Sequence, residues 1–424
     1  MSRVVFIHLP GATVATPAGR LSFVLAPSGE LLTSQFQYGR NYRRRTNALD
    51  VDPTALPLTG ETDTPREPPN GLPLFGAVRD ALPDAWGRRV IENQLRVPGN
   101  SLGDHELLDH GGSDRPGALD IRRGPESAPA PGFLPGIVDL QYLVDAAERI
   151  EAGEVVPQQL AVYFQGGPTL GGARPKAAVE HHGRHWIAKF PARSDPFDVP
   201  TIEHATLELA RRCGLDVPAT DLRHLADGRA IMLIERFDRS PVVGGMARRH
   251  MLSALTMLGV AEQDSPNQRY ADLAGVISRY APRARIHRDR AELFGRMIFN
   301  ILVSNDDDHL RNHAFVFESA GGGWGLSPLY DVVPRNSLAS DRYLHLSVGP
   351  KGRVARLDNA LQGAPAFGLQ RREAADRIED IYGVVRTWRT VFEGLGVSPT
   401  QCDRVANAFR RGDDVGLAAV RTAR

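Results

Sequence analysis

The chain of 424 residues has little cysteine: its two cysteines, Cys213 and Cys402, lie far apart. Two distant cysteines form neither a disulfide framework nor the paired spacing of a zinc knuckle, and we expect both to be structural thiols of a reducing compartment. No apolar run approaches the roughly 20 residues that span a bilayer. The apolar stretch from Val4 to Leu9 is too short for a signal peptide. These absences predict a cytoplasmic protein without a membrane partner.

The sequence also lacks an excess of charge of either sign, since 51 Lys and Arg oppose 50 Asp and Glu for a net charge of +1. A nearly neutral chain has no global field that attracts nucleic acid or membrane. The short basic run Arg43 to Arg45 could contact a phosphate backbone, but a solvated loop is the favoured interpretation. The chain is 42% apolar and 24% charged, which is ordinary for a globular protein, and it is long enough for two or three domains.

An apolar run from Phe299 leads into three consecutive acids, and Asn312 follows the middle acid, Asp307, by five positions. A short apolar hairpin then precedes Asp331. Phosphoryl transfer needs one carboxylate to orient the attacking hydroxyl, and an amide and a second carboxylate to hold the metal ion. The spacing from Asp307 to Asn312 equals that of the protein-kinase catalytic loop. The alternative is a solvated acidic turn with a coincidental spacing.

The segment from His185 to Phe190 is predicted to be a strand, and it carries Lys189. Burying an ammonium without a partner costs several kcal/mol, so Lys189 either faces solvent or meets nucleotide phosphates and an acid. The next helix, predicted from Thr201 to Cys213, offers Glu203 as that acid. A lysine on a strand followed by a glutamate on the next helix is the order found in kinases.

A glycine-rich segment lies between Gln165 and Lys176, with four glycines, Thr169 and two cations. Backbone amides beside glycine can approach phosphate oxygens closely. Neither GxGxxG nor GxxxxGK is present, so the motif is weak by itself, and a flexible hairpin turn is an equally good interpretation. The candidate nucleotide contacts in this segment are Gly171, Gly172, Ala173 and Lys176.

Glu235 and Phe237 follow a predicted strand from Ala230 to Ile234. In a two-lobed kinase the chain passes the adenine at this point, and a strand end with a cluster of ion pairs is the alternative. Further along, His309 and His313 are four positions apart, as zinc ligands on a helix would be. No third ligand is apparent, so a support of the acidic loop is the favoured role of His309.

Hydrophobic periodicity predicts a first strand at Val4 to Leu9 and helices throughout the second half of the chain. Asp84 is a predicted N-cap. Further predicted strands are Leu21 to Leu25 and Leu215 to Leu222, and the predicted helices are Asp84 to Leu95, Asp139 to Glu151, Met251 to Leu258, Gln268 to Ser278, Ala291 to Val303, residues 371–394 and residues 399–420.

In their joint order these motifs resemble those of HipA-type serine/threonine kinases, the toxins of bacterial toxin–antitoxin pairs. The resemblance covers nearly the whole chain and implies an α+β, two-lobed, protein-kinase-like fold. It implies an N-terminal subdomain at 1–130, a region like a kinase N-lobe at 131–245 and a helical C-lobe at 246–424. The segments that carry it are Leu82–Arg88, Gly171–Lys176, Ile187–Phe190, Glu235–Arg239, Asn305–Asn312 and Pro328–Asp331.

Carried over to this sequence, the resemblance implies that Asp307 is the catalytic base and that Asn312 and Asp331 hold magnesium. It implies further that Lys189 contacts the ATP phosphates, that Glu235 and Phe237 lie on the adenine side, and that His309 belongs to the same nucleotide site. Two departures stand beside these roles. Thr169 replaces the serine that relatives autophosphorylate, and Asp306 and Asp308 leave open which acid is the base if the loop register differs.

The implied function is an ATP- and magnesium-dependent protein kinase whose substrate is a translation component such as an aminoacyl-tRNA synthetase, with growth arrest as the result. The implied partner is a small helix-turn-helix antitoxin of the HipB type, through which the chain would reach DNA indirectly. Two alternatives stay open. One is a small-molecule kinase with the same fold, and the other is a non-catalytic corepressor that acts with the antitoxin.

Overall fold

The computed structural model describes residues 1–59, 64–130, 134–157 and 172–422. These residues form two compact units. The first unit comprises Met1–Ser194 and Arg223–Leu252, and the second comprises Asp195–Leu222 and Ser253–Arg424. Each unit contains both helices and strands, so the α+β expectation is confirmed. In the described ranges, no helix has the length and apolar character needed to cross a membrane.

An antiparallel four-stranded sheet opens the first unit, in the spatial order β3-β2-β1-β4. In β1 the side chains of Val5, Phe6 and Ile7 are buried. Gly19 lies where β2 and β3 approach closely, because a Cβ there would come within 2.4 Å of the Phe36 ring. The strands are β1 (Ser2–Ile7), β2 (Thr16–Leu25), β3 (Leu31–Tyr38) and β4 (Leu119–Arg122).

A second four-stranded sheet has the order β5-β6-β8-β7. Two helices of the first unit pack on it through one hydrophobic core, in which Trp86 and Val90 meet Val179, Phe190 and Leu233. The elements are α3 (Ala85–Leu95), α5 (Leu140–Glu151), β5 (Lys176–His181), β6 (Arg184–Lys189), β7 (Thr220–His224) and β8 (Ala230–Glu235).

The rest of the first unit is made of short elements. Asp84 caps α3 as predicted, since its Oδ1 accepts the Gly87 amide at 2.6 Å. The hairpin of β9 and β10 follows β8 directly. The bounds of these elements are α1 (Arg40–Arg43), α2 (Gly76–Asp80), α4 (Asp104–His110), β9 (Arg239–Val242) and β10 (Gly245–Arg248). The strand β11 (Met251–Ser253) runs across the sequence boundary between the two units.

The second unit is mainly helical and is centred on one long helix, α9 (Ile286–Val303), in which every residue from Leu293 to Val303 is buried. The buried half is apolar except for Arg296 and Asn300, and a stretch of helix that is hydrophobic nearly all round belongs in the interior of a domain. The other helices are α6 (Val199–Arg212), α7 (Ala254–Leu258), α8 (Tyr270–Tyr280), α10 (Leu357–Gly363), α11 (Arg371–Val385), α12 (Trp388–Gly394), α13 (Pro399–Val405) and α14 (Leu417–Arg421).

The predicted hairpin after the acidic loop is present as β12 (Ala314–Glu318) and β13 (Gly323–Leu326), paired antiparallel with Phe315 opposite Leu326. The apolar side chains of both strands are buried except that of Phe317, which is partly exposed. The hairpin lies in sequence between the two candidate metal ligands. It connects the turn Leu310–Asn312 to the segment that contains Asp331.

Several sequence-based element bounds were wrong. The helix expected from Met251 begins only at Ala254, because Ser253 caps it through the Thr256 amide and the preceding residues form β11. The strand expected from Leu215 begins at Thr220, after Pro218, which has no amide to donate to a ladder. The helix predicted for 371–394 is two helices, and the one predicted for 399–420 is broken by turns before Leu417.

Candidate active site

The acidic loop begins where α9 ends in the second unit. Ser304 has a left-handed backbone, with φ of +51°, and it caps the helix. The Asn305 amide donates back to the Asn300 carbonyl at 3.0 Å, and the Ser304 hydroxyl donates to the Ala408 carbonyl at 2.6 Å. A left-handed residue ends a helix because it turns the chain away from the helix axis. The three acids therefore start from a rigid helix end.

Asp308 is the buried member of the acidic triplet, with 1% of its surface exposed. Its Oδ2 accepts the Tyr270 hydroxyl at 2.6 Å, and its Oδ1 accepts the His345 amide at 2.7 Å. Burial raises the pKa of Asp308 to about 7, although both hydrogen bonds oppose that rise. Asn300 in turn donates to the Tyr270 hydroxyl at 3.0 Å. Asp308 thus ties the loop to α8 and α9 and has a structural role.

Asp306 and Asp307 are half-exposed, and Arg335 bridges them. Its Nε lies 3.2 Å from Asp306 Oδ1, and its Nη2 lies 2.8 Å from Asp307 Oδ2. Partial burial raises the pKa of Asp306, and the Arg335 charge opposes this shift. The carboxylates that solvent reaches are therefore those of Asp306 and Asp307.

Asn312 lies in the tight turn Leu310–Asn312, and its Nδ2 donates to the Asp307 carbonyl at 2.7 Å. This hydrogen bond shows which end of the Asn312 side-chain amide is the nitrogen. The oxygen of that amide is then oriented towards a different contact. Asp331 has a left-handed backbone with φ of +59°, a conformation that Asp tolerates better than most residues and that recurs at functional sites.

The segments that carry Asn312 and Asp331 are joined by a hydrogen bond between their neighbours, from the Tyr330 hydroxyl to the Arg311 carbonyl at 2.8 Å. An amide oxygen and a carboxylate are hard oxygen donors of the kind that magnesium takes. The donor set of these two residues therefore fits a magnesium ion.

The two histidines beside the loop differ in environment. His309 is partly exposed, with Nε2 3.9 Å from Asp307 Oδ1, and its ring meets His345 edge-on at 5.8 Å. His313 is buried, and burial lowers its pKa to about 3. The His313 ring lies edge-on to Tyr270 at 5.5 Å. His309 is thus the histidine next to Asp307, and His313 belongs to the packing beneath the loop.

The first unit contains the candidates for nucleotide binding other than His309. Lys189 lies at the end of β6, opposite Lys176 on one side and Met232 on the other. Glu235 ends β8 and forms an ion pair with Arg184. The Phe237 carbonyl, in the turn after β8, accepts the Arg249 Nη1 at 3.3 Å.

A buried network of four charges holds that turn after β8. Arg236 and Arg239 each bind both Asp114 and Asp238, with four N–O distances between 2.6 and 2.9 Å. Burial alone would raise the pKa of Asp114, but the two arginines outweigh it and lower the pKa to about 2. Asp238 Oδ2 also accepts the Gly117 amide at 2.8 Å. The network therefore ties the turn around Asp114 to the segment that carries Phe237.

In the glycine-rich segment, Gly172 and Ala173 are exposed, whereas Lys176 is buried and forms an ion pair with Asp84 at 2.9 Å. Thr169 and Gly171 lie outside the described residues. Glu203 is on α6 in the second unit and is buried, with 2% exposed. Its pairing with Lys189 stays a prediction.

The structure thus collects Asp307, His309, Asn312 and Asp331 in one neighbourhood of the second unit. Sequence reasoning missed Arg335, although a cation four positions after Asp331 was a readable signal. It also missed Tyr270, for which no local pattern exists, because its partner Asp308 is 38 positions away.

Three comparisons with known proteins point in one direction. A family model described as the HipA-like C-terminal domain matches residues 168–388. A Sinorhizobium fredii protein named "Putative kinase Y4mE" is 27% identical over 328 residues, which are 70% of this chain and 71% of that protein. A second S. fredii protein, "Putative kinase Y4dM", is 27% identical over 234 residues, or 52% of this chain and 53% of its own length.

Among solved structures, the chain resembles one from the Shewanella oneidensis toxin–antitoxin complex of HipA, HipB and operator DNA. The TM-score is 0.68 and the sequence identity is 18%, and the alignment covers 99% of this chain and 97% of that one. At this identity the likeness establishes the fold.

Proposed function

This chain belongs to the family with a HipA-like C-terminal domain, and from that premise we propose that it is an ATP- and magnesium-dependent kinase of serine and threonine hydroxyls in a protein. The observation that carries the proposal is the second-unit loop in which the half-exposed Asp307 is bonded through its carbonyl to Asn312, beside the segment of Asp331. That arrangement supplies one acid for the acceptor hydroxyl and two oxygen donors for a metal ion.

In this proposal Asp307 orients the acceptor hydroxyl and takes its proton as the hydroxyl oxygen attacks the terminal phosphorus of ATP. The bond from that phosphorus to the bridging oxygen breaks, and ADP leaves with the bridging oxygen. Asn312 and Asp331 bind magnesium, which when bound neutralises charge on the phosphates. Lys189 offsets phosphate charge, while Glu235 and Phe237 contact the base. Glu203 is the proposed acid partner of Lys189. The roles of these groups are positioning and electrostatic stabilisation.

We further propose that the partner is a small helix-turn-helix antitoxin of the HipB type, and that DNA is reached only through it. Support comes from the solved relative, whose complex contains HipA, HipB and operator DNA. The proposed substrate is a translation component such as an aminoacyl-tRNA synthetase. Thr169 is the proposed site of autophosphorylation.

The experiment that tests the kinase proposal uses radiolabelled ATP with magnesium and a lysate of the host. We expect Asp307→Ala to reduce protein labelling by about a hundredfold or more, because a positioned general base contributes about that much. ATP binding should persist, since the proposed phosphate and metal contacts remain. Labelling is read on a gel, and ATP binding is read by calorimetry.

Asp306→Ala is the matched control, because it removes the neighbouring half-exposed acid that Arg335 also binds. It should retain labelling. If the Asp306 variant loses activity and the Asp307 variant keeps it, the assignment of the base is reversed. Label in a small molecule instead of a protein band would favour the small-molecule kinase, and an absence of ADP formation would favour the corepressor.

A further inference from the structure

We propose that Lys176 is the anchor of the segment Gly172–Lys176 and does not bind phosphate, and that Asp84, through Lys176, positions this segment for the nucleotide. The inference rests on the kinase function proposed above and assigns residues that this function left without a role. It concerns the first unit alone, in which the start of α3 meets the start of β5.

Asp84 uses both of its carboxylate oxygens. Oδ1 accepts the Gly87 amide at 2.6 Å and thereby caps α3, and Oδ2 binds the Lys176 ammonium at 2.9 Å. Only 4% of the Lys176 side chain and 10% of the Asp84 side chain are exposed. A buried ammonium requires a counter-charge, and in the described structure Asp84 supplies it. The Lys176 ammonium is therefore bound at the N-terminus of α3 by Asp84.

Trp86, two residues further on, holds the backbone at both ends of the same segment. Its indole Nε1 donates to the Lys176 carbonyl at 3.0 Å, and its amide donates to the Gly172 carbonyl at 3.3 Å. Trp86 is 1% exposed within the core that includes Ala177, Val179 and Phe190. Three contacts, one from Asp84 and two from Trp86, thus fix the positions of Gly172 and Lys176 relative to the start of α3.

Gly172 shows how closely the lysine is wrapped by the segment. Its φ is +101°, and a Cβ at this position would lie 2.8 Å from the Lys176 Nζ. The backbone conformation is one that favours glycine, and the short distance shows how near the ammonium lies to this backbone. Gly172 and Ala173 are exposed while Lys176 is buried, so the exposed part of the segment offers backbone amides to a phosphate, and Lys176 does not.

The two roles of Lys176 predict opposite effects of Asp84→Asn. Asparagine is as good an N-cap as aspartate, so the variant keeps the helix start and removes the counter-charge. If Lys176 bound phosphate, the ammonium would be released from its competitor and the KM for ATP would fall. If Lys176 is an anchor, the unpaired ammonium leaves its site beside the positive end of α3, the segment shifts, and the KM rises.

We expect Asp84→Asn to raise the KM for ATP about tenfold while kcat changes by less than about twofold, because the segment contributes to binding of the nucleotide and not to the chemical step. Asp84→Glu keeps the charge and should restore most of the affinity, which separates a lost counter-charge from a lost fold. Asp104→Asn is the matched control. It breaks the part-exposed pair with Arg88 at the same helix and should leave the KM unchanged.

A second readout is independent of catalysis. The sequence has three lysines, Lys176, Lys189 and Lys351, so an amine-reactive reagent followed by peptide mass spectrometry reports on each. Lys351 is half-exposed and serves as the internal standard. In the unaltered protein Lys176 should react slowly. In Asp84→Asn its labelling should rise several-fold, and in Asp104→Asn it should stay low.

Either of two results overturns the proposal: a KM for ATP that falls or stays unchanged in Asp84→Asn, or Lys176 labelling that does not rise. Failure of the kinase proposal looks different. In that case Asp307→Ala leaves phosphate transfer unchanged, while the labelling of Lys176 still responds to Asp84 as described.

Discussion

At the scale of single residues, the three consecutive acids of the loop illustrate how neighbours in sequence acquire different chemistry. Asp306 and Asp307 are half-exposed and share Arg335, whereas Asp308 is buried against Tyr270. Desolvation penalises a charged carboxylate, so the same side chain is a half-exposed partner of an arginine in one position and a buried group with a raised pKa in the next. Only the two half-exposed acids are accessible to an acceptor hydroxyl.

The pKa of Asp308 predicts a pH-dependent stability. Its pKa is about 7 in the folded chain against a normal value of 3.8, so the folded state holds a proton that the unfolded state has lost between these two values. Stability must therefore fall as pH rises through about 7. Between pH 5 and pH 8 we expect this carboxyl to remove about 2 to 3 kcal/mol of unfolding free energy, measured by urea unfolding.

Asp308→Asn is the matched variant, because an amide can still bind the Tyr270 hydroxyl and the His345 amide but does not titrate. From pH 5 to pH 8 the unfolding free energy of this variant should fall by about 2 to 3 kcal/mol less than that of the unaltered protein. Equal pH slopes in the two proteins would show that Asp308 is ionised throughout.

At the scale of elements, the buried charges around Asp114 join two distant parts of the first unit. Asp114 lies in the turn before β4, and its partners Arg236 and Arg239 flank the turn between β8 and β9. The guanidinium groups also donate to the Arg115 carbonyl at 3.2 and 2.7 Å. The segment with the proposed adenine contacts is thus held by the N-terminal part of the unit.

We expect Asp114→Ala to lower the unfolding free energy by about 3 kcal/mol, since removal of one member of a buried ion pair leaves the other charges uncompensated. Asp238 remains as the acid for two arginines, which keeps the loss at the lower end of the usual range. Denaturant unfolding followed by tryptophan fluorescence measures the change.

The comparison is Asp104→Ala, which breaks an ion pair whose two side chains are about one-third exposed. A surface pair of this kind contributes about 1 kcal/mol or less. If both variants unfold at the same denaturant concentration, the network around Asp114 does not hold the turn in place.

At the scale of the whole molecule, the candidate residues are divided between the two units. Lys189, Glu235 and Phe237 belong to the first unit, and Asp307, Asn312 and Asp331 belong to the second. The family model covers residues of both, from 168 to 388. A function that uses both sets requires the full chain, and experiments on it should use the full chain.

A nucleotide that binds the folded protein must stabilise it, by about 2.7 kcal/mol at a hundred times the dissociation constant. We expect magnesium with a non-hydrolysable ATP analogue to raise the thermal unfolding midpoint of the unaltered protein. Lys189→Met should remove most of that increase, because it deletes the proposed phosphate contact. Differential scanning fluorimetry over a range of analogue concentrations measures the shift.

Lys351→Met provides the control, since Lys351 pairs with Asp358 at 2.8 Å and has no proposed role in binding. Its midpoint should rise with the analogue as in the unaltered protein. A full shift in Lys189→Met would remove Lys189 from the nucleotide site.

Local features of the structure were largely predictable from the sequence. The helix after the Asp84 cap, the lysine strand and the hairpin of β12 and β13 all lie where periodicity and turn residues predicted them. These elements follow from backbone propensity and side-chain spacing, which residues a few positions apart express. The predicted helix start at Met251 was wrong, because the Ser253 side chain caps the helix and the helix begins at Ala254.

The sequence by itself determined the order of the motifs and the five-residue spacing from Asp307 to Asn312, because both are properties of neighbouring residues. Only the tertiary structure decided that Asp308 is buried and that Lys176 is paired with Asp84. The partners of these groups are 38 and 92 positions away. Burial and counter-charge set the chemistry of an ionisable group, and both depend on residues that only the folded chain brings together.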